Sequence, residues 1–146
     1  MSSGLATKVL RALVVDQALD VAEHAGLVAD ASAGAVVTFA GVVRDHDRGR
    51  TVRRLEYSGH PTAQRVIEGL AEEIAERAAG VRALAVSHRI GALAIGDVAL
   101  ACAVAADHRA AAFEACARLV DEVKHRLPIW KRQVFADGSD EWVNCP

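Results

Sequence analysis

The stretch Gly34-Ala-Val-Val-Thr-Phe-Ala-Gly-Val-Val-Arg44 decides how this chain folds. Its apolar run, Ala35 to Val43, has the length and composition of a buried β-strand. Gly41 within the run indicates a bulge or a close approach of another backbone. A loop from Ala31 to Gly34 precedes the strand and a charged segment from Arg44 to Arg50 follows it, so the partners of this strand must come from the sequence on either side.

The segments next to this stretch predict two strands and a short helix. Val9 to Val15 has the pattern of a strand. Asp20-Val-Ala-Glu23 predicts the capped start of a short helix that ends near Asp30. Thr51 to Ser58 alternates as a strand does, and Arg48-Gly49 before it predicts a polar, exposed hairpin turn.

Two long helices give the clearest helical patterns. The first begins near Ala63, has apolar residues at 3.6-residue spacing, and ends at Gly80. The second begins after Asp107, which we interpret as its N-cap, and ends at Pro128. Both helices are long enough to lie across a sheet.

The remaining apolar runs predict strands. Val81 to Ile90 and Val98 to Ala105 predict two strands between the long helices. Ile129 to Val143 predicts a terminal hairpin, with Trp130 and Trp142 as its apolar anchors. The order of these elements predicts a single domain over residues 1–146, of the α+β or mixed α/β class.

Composition and charge argue against several classes of function. The formal net charge is -2 and the isoelectric point is near 6.3, whereas general nucleic-acid binders carry a strongly basic face. No apolar stretch reaches the roughly 18 residues that span a bilayer, and the N-terminal residues lack a signal-peptide cleavage pattern. We therefore expect a cytoplasmic protein with neither a nucleic-acid partner nor a membrane partner.

Cysteine spacing and known motifs give no support to a metal or cofactor. Cys102, Cys116 and Cys145 form no CxxC pair and have no His at metal-ligand spacing. The first two lie in apolar patterns and are expected to be buried thiols, and the third is expected to be exposed. The sequence contains no Walker-type glycine loop, GxSxG, HExxH or GxGxxG. We expect no metal and no cofactor.

The use of lysine is the most informative feature of the composition. Of 17 basic residues, only Lys8, Lys124 and Lys131 are lysines. A chain that otherwise prefers Arg keeps Lys where chemistry needs an amine that can lose its proton, which a guanidinium cannot do. Lys124 falls on an apolar line of the second long helix, so we expect it to be partly desolvated and able to act as an acid, a base or a nucleophile.

The alternative for Lys124 is a lysine whose stem covers the core edge while its charge favours the helix C-terminus. Lys131 follows the extended exit that Pro128 enforces, which would hold it near Lys124. Arg132 comes next, so this stretch could offer Lys124, Lys131 and Arg132 to an anionic ligand. A basic turn that is simply exposed to solvent would have the same sequence.

Two His-Arg pairs and one arginine are further candidates. His88-Arg89 and His108-Arg109 each follow an apolar strand, and the second pair opens a helix whose N-terminus favours anions. Arg44 ends the opening strand. The default interpretation of each is an exposed surface residue. The functional hypothesis is that each binds an anion.

Together these segments resemble the molybdopterin synthase catalytic subunit family, from about Gly34 to Val143. The matching pieces run in the family's order: the opening stretch with His46, then Leu55-Glu-Tyr57, His88-Arg-Ile-Gly-Ala-Leu93 with Gly96-Asp97, Asp107-His-Arg109 with Ala112-Phe113, and Asp121-Glu-Val-Lys124 through Pro128-Ile-Trp-Lys131.

The resemblance implies a fold and an assembly. It implies an α/β hammerhead with an added antiparallel β subdomain. It also implies a homodimer at the centre of a heterotetramer, with a small ubiquitin-like sulfur carrier at each end. The carrier's Gly-Gly tail, ending as a thiocarboxylate, would donate sulfur to cyclic pyranopterin monophosphate, and two rounds would yield the dithiolene of molybdopterin.

The resemblance also assigns the site residues. It implies that Lys124 and Lys131 are the essential lysines, and that Phe39 belongs to an apolar channel for the carrier tail. The residues placed around the substrate, some of them from the other chain of the dimer, are Val42, Val43, Arg44, His108, Arg109, Lys124, Lys131, Arg132 and Gln133.

The sequence departs from the family pattern at Gln133, where relatives more often carry Glu, and at Pro146, where family members commonly continue into a further polar segment. The alternative function is a non-catalytic dimeric module that binds a small anion or a peptide tail. A lysine on an apolar stripe favours the enzyme, because Arg would serve anion binding as well.

Overall fold

The computed structural model describes residues 7–143. This part of the chain forms an α+β fold, which confirms the predicted class. In chain order the elements are β1 (Lys8–Val15), α1 (Val21–Val28), β2 (Ala35–Val42), β3 (His46–Asp47), β4 (Arg50–Gly59), α2 (Ala63–Arg77), β5 (Val81–Arg89), β6 (Gly91–Ala94), β7 (Val98–Ala106), α3 (Arg109–Arg126), β8 (Ile129–Phe135) and β9 (Asp140–Val143).

The first sheet has four strands in the order β1-β5-β7-β2. β1 pairs parallel to β5, and the other two pairings are antiparallel. The inner strands β5 and β7 are apolar runs buried on both faces because α1 covers one face and α2 and α3 cover the other. β2 forms one edge of this sheet, so the predicted opening strand has a pairing partner along one side.

The second sheet is antiparallel and is built around β4. This strand pairs with β6 along one side and with β8 along the other, and β9 pairs with β8. The predicted turn between β3 and β4 is confirmed: Arg48 and Gly49 have φ angles of 51° and 77°, the left-handed values that a tight two-residue hairpin requires.

The structure differs from the predictions at Asp107, before α3, and at Trp142, on β9. The predicted N-cap Asp107 is wrong, since α3 is preceded by His108 and the Asp107 carboxylate pairs instead with Arg82, with Nε to Oδ1 at 2.6 Å. Trp142 is 58% exposed, so it is not the buried apolar anchor that was predicted. By contrast, Asp20 caps α1 as predicted, accepting from the backbone N–H groups of residues 22 and 23.

Cys102 and Cys116 are buried in the core, as predicted. The prediction for Cys145 lies outside the described residues. No helix within residues 7–143 is both long and apolar enough to cross a membrane.

Gly34, just before β2, permits a close approach of two backbones. A Cβ at this position would lie 2.6 Å from the carbonyl oxygen of Asp107. We expect Gly34→Ala to lower the free energy of unfolding by about 1–3 kcal/mol, the usual cost of overpacking. Gly69 in α2 has open space around it, so Gly69→Ala should raise stability by about 0.5–1 kcal/mol through helix propensity. Urea unfolding of both variants checks the prediction, and equal effects would contradict it.

Candidate functional site

A cavity of about 250 Å³ lies where the two sheets meet, at the C-terminal ends of β2 and α3. Residues from both sheets and from α3 line it, so the fold brings distant segments of the sequence together here. The lining residues are Gly41, Val42, Val43, Arg44, His46, Leu55, Tyr57, His88, Ala99, Leu100, Lys124, Lys131 and Gln133.

Both candidate lysines line this cavity. Lys124 lies in the last turn of α3, and Lys131 lies on β8 after the short exit that contains Pro128. In the β4–β8 ladder, Lys131 is the register partner of Tyr57, whose side chain is buried against the cavity wall. The predicted proximity of the two lysines is therefore seen in the structure.

The expected desolvation of Lys124 is not met in the single chain, where this residue is exposed. The reason is the orientation of α3. Its core-facing residues include Cys116, Leu119 and Val123, whereas Lys124 lies on the same side of the helix as Phe113, which is 61% exposed. Burial of Lys124 thus requires something that covers this side of α3.

Val42 and Arg44 reach the cavity from the end of β2, and Gln133 reaches it from within β8. The Arg44 side chain is 65% exposed and its Nη2 lies 3.4 Å from Asp47 Oδ1. Gln133 is buried, and its Nε2 donates to Asp47 Oδ2 at 2.9 Å. This hydrogen bond is the main reason that the pKa of Asp47 is lowered. Gln133 therefore holds in place the loop that carries Arg44.

Arg132 does not line the cavity, although the family resemblance placed it around the substrate. Side chains alternate along β8, so Arg132 lies on the face opposite to Lys131 and Gln133. Its guanidinium pairs with Glu56 at 3.0 Å and with Asp140 at 2.7 Å. These hydrogen bonds raise the pKa of Arg132 and tie β4, β8 and β9 together.

His108 and Arg109 lie at the opposite end of α3 from Lys124. At 1.5 Å per residue, the helix separates Arg109 from Lys124 by about 22 Å. Within one chain the structure therefore does not bring this pair to the cavity. Both residues are exposed, and no side chain caps the N-terminus of α3, which leaves its N–H groups available to an anion.

Phe39 lies in an apolar groove beside the cavity rather than in the cavity lining. The groove encloses about 380 Å³ between β2 and α3. A Cβ on Gly41 would lie 3.3 Å from the Phe39 ring, so Phe39 packs over a glycine that also lines the cavity. The predicted bulge at Gly41 is confirmed by a register shift between Gly41 and Val42. The groove thus adjoins the cavity at this bulge.

Tyr57 and His46 line the cavity although the sequence pattern assigned neither of them a role in the site, and His88 was a candidate only as an anion ligand. The alternation of Thr51 to Ser58 places Tyr57 on the buried face of β4, which was the available signal. Which cavity that face meets depends on the pairing of β4 with β8 and could not be read from either strand alone.

Comparison with known proteins identifies the family. The family described as MoaE protein matches residues 14–126 of this chain. The chain belongs to the MoaE family. A curated relative from Nostoc sp., named molybdopterin synthase catalytic subunit, is 38% identical over 127 residues, which cover 86% of this chain and 77% of the relative. The resemblance drawn from the sequence is confirmed, and it assigns the chain to a sulfurtransferase family of molybdenum cofactor biosynthesis.

Solved structures of MoaE relatives share the fold. Molybdopterin synthase from Staphylococcus aureus superposes with a TM-score of 0.82 at 30% identity, over 89% of this chain and 94% of that one. A structure from Helicobacter pylori, described as a complex of subunits 1 and 2 of molybdopterin-converting factor, superposes with a TM-score of 0.63 at 22% identity, over 96% of this chain and 90% of that one. The second likeness shows the fold alone.

Proposed function

We propose that this chain is the catalytic subunit of a molybdopterin synthase, and that its two-lysine cavity is where the thiocarboxylate of a small carrier protein passes sulfur to cyclic pyranopterin monophosphate. The observation that carries the proposal is the placement of Lys124 and Lys131 on one cavity together with Arg44. Among the described lining residues there is no carboxylate. Such a cavity favours anions, and both the thiocarboxylate and the phosphorylated pterin are anionic.

The groove that contains Phe39 supports a tail-binding role. It is lined mainly by apolar side chains, and at Gly41 it meets the cavity. An extended tail that ends in two glycines has no side chains near its terminus, so it needs little room where it runs past the Phe39 ring toward the cavity. Its terminal group would then reach Lys124.

A homodimer would complete the site. β2 is an edge strand, and the side of α3 next to it presents the exposed Phe113, which also lines the Phe39 groove. The partner chain would therefore cover the Phe113 end of this groove and leave its Phe39 end, next to Gly41, for the carrier tail. A two-fold axis through the middle of this surface would place the N-terminus of the partner's α3 beside the C-terminus of this one. His108 and Arg109 of one chain would then face Lys124 of the other, and the covered surface would supply the desolvation that the single chain lacks.

The partner proposed at each end of the dimer is a small ubiquitin-like carrier, which gives a heterotetramer. The Helicobacter pylori structure of similar fold is described as a complex of two molybdopterin-converting factor subunits. This supports a small partner subunit for the present chain.

The test combines the purified chain with thiocarboxylated carrier and pterin precursor, and follows formation of the dithiolene product. We expect product with intact carrier and a large loss with a carrier that lacks its last two glycines. Binding of both ligands without any product would instead favour the non-catalytic module, and equal reaction of the truncated carrier would contradict the tail-binding groove.

Arg44, His108 and Arg109 are expected to bind the phosphorylated pterin. Replacing each with Ala should raise the apparent KM more than it lowers kcat, because a phosphate contact is made equally in the ground state and the transition state. Steady-state kinetics with varied precursor measures this. A large fall in kcat at unchanged KM would reassign these residues to the chemical step.

A further inference from the structure

His88 is a buried imidazole on the wall of the two-lysine cavity. It lies near the end of β5, is 1% exposed, and lines the cavity together with Lys124. The Tyr57 ring packs edge-on against it, with ring centroids 5.0 Å apart and an interplanar angle of 80°. An imidazole enclosed between a central strand and an aromatic ring is held in one orientation.

The hydrogen bond of this ring determines its tautomer. His88 Nδ1 lies 2.8 Å from the carbonyl oxygen of Arg89. Because a carbonyl oxygen only accepts, Nδ1 carries the proton and donates, and Nε2 of the neutral ring bears a lone pair. Burial lowers the pKa of His88 to about 4, with the charge of Lys124 acting in the same direction and the bond to Arg89 opposing it. The ring is therefore neutral at neutral pH.

An uncharged hydrogen-bond acceptor is compatible with a lysine whose ammonium group binds an anionic substrate. A carboxylate next to Lys124 would cancel the ammonium charge and stabilise its proton. An imidazole lone pair can accept a hydrogen bond from the ammonium without adding negative charge to the cavity. The described lining contributes the cations Arg44, Lys124 and Lys131, and a neutral acceptor adds no negative charge that would offset them.

We propose that His88 is a positioning residue for Lys124: its Nε2 accepts a hydrogen bond from the Lys124 ammonium when the carrier tail occupies the cavity, and so directs Nζ toward the reacting group. The inference rests on the proposed role of Lys124. A long side chain in the last turn of a helix has many rotamers, and an acceptor fixed on β5 restricts them. Nothing in this role requires His88 to exchange a proton itself.

Two variants separate this role from a structural one. His88→Gln can place an amide oxygen near the position of Nε2, whereas His88→Asn can keep a donor near Nδ1 for the Arg89 carbonyl but lacks an acceptor at Nε2. We expect single-turnover sulfur transfer to fall about 10- to 100-fold in His88→Asn, the effect of losing a hydrogen bond to a charged group, and to fall much less in His88→Gln.

The reverse order of the two variants, or equal rates in both, would overturn the proposal. Absence of sulfur transfer by the wild-type chain would instead count against the proposed function.

A measurement on the wild-type protein covers the case in which neither variant folds. It is ¹⁵N NMR of the His88 ring with carboxylate-ended carrier bound. We expect the Nδ1–H tautomer, and an Nε2 signal that shifts in Lys124→Met. An Nε2–H tautomer, or an Nε2 signal unchanged in Lys124→Met, would overturn it.

Discussion

Lys124→Arg is expected to lose nearly all sulfur transfer although the substitution keeps the positive charge. A guanidinium stays protonated, so it cannot serve as a base, an acid or an acyl acceptor. General acid or base assistance is worth about 100-fold to 10,000-fold in rate, which is far more than a displaced charge would cost. The measurement is single-turnover sulfur transfer with saturating carrier and precursor.

Lys131→Arg is the matched control for this prediction. Lys131 lies on β8 in an extended segment, where a fixed positive charge can serve, so the loss should be milder. Each variant must also be shown to dimerise and to bind carrier. Near wild-type rates for Lys124→Arg would leave Lys124 as an electrostatic contact only.

Phe113→Asp is expected to separate the dimer and abolish activity while leaving the chain folded. Phe113 is 61% exposed in the single chain, so a carboxylate there is solvated and costs the monomer little. In the proposed dimer the same carboxylate would be buried. We expect the dimer dissociation constant to rise by about 30-fold or more, the effect of losing a central interface residue.

Leu10→Asp provides the control for Phe113→Asp. Leu10 is an apolar residue, 42% exposed, on β1 at the other edge of the same sheet. It should leave both dimerisation and sulfur transfer unchanged. Analytical ultracentrifugation and single-turnover assays at the same protein concentration measure the two properties, and carrier binding is measured as well because Phe113 also lines the Phe39 groove. A Phe113→Asp chain that stays dimeric and active would show that the shared site is not formed at this surface.

Local patterns predicted most of the secondary structure because each depends on neighbouring residues. The strand at Ala35 to Val43, the turn at Arg48-Gly49 and the cap at Asp20 are all set by spacing within a few residues. The N-cap at Asp107 failed because a distant residue, Arg82, competes for its carboxylate. A capping rule considers only residues close in the sequence, so it does not detect competition from a residue 25 positions away.

Part of the candidate site was also predicted because it depends on residues that are close in the sequence. Lys124 and Lys131 are seven positions apart, and the rigid exit from α3 keeps them on one cavity. The side of α3 that Lys124 shares with Phe113 is apolar but open, so periodicity alone could not distinguish a core face from an interface. Arg132 followed Lys131 in sequence but lies on the other face of its strand.

The two buried cysteines bear on the route that sulfur takes. Burial raises the pKa of the Cys116 thiol to about 11 and that of Cys102 well above its usual value, so both remain protonated at neutral pH. A protonated, enclosed thiol is a poor nucleophile and a poor target for oxidation. Neither residue is suited to hold a persulfide or to form a mixed disulfide with the carrier. As far as these two thiols are concerned, sulfur would travel from donor to acceptor without resting on the protein, and an alkylating reagent applied to the folded chain, and removed before carrier is added, should leave Cys102 and Cys116 unmodified.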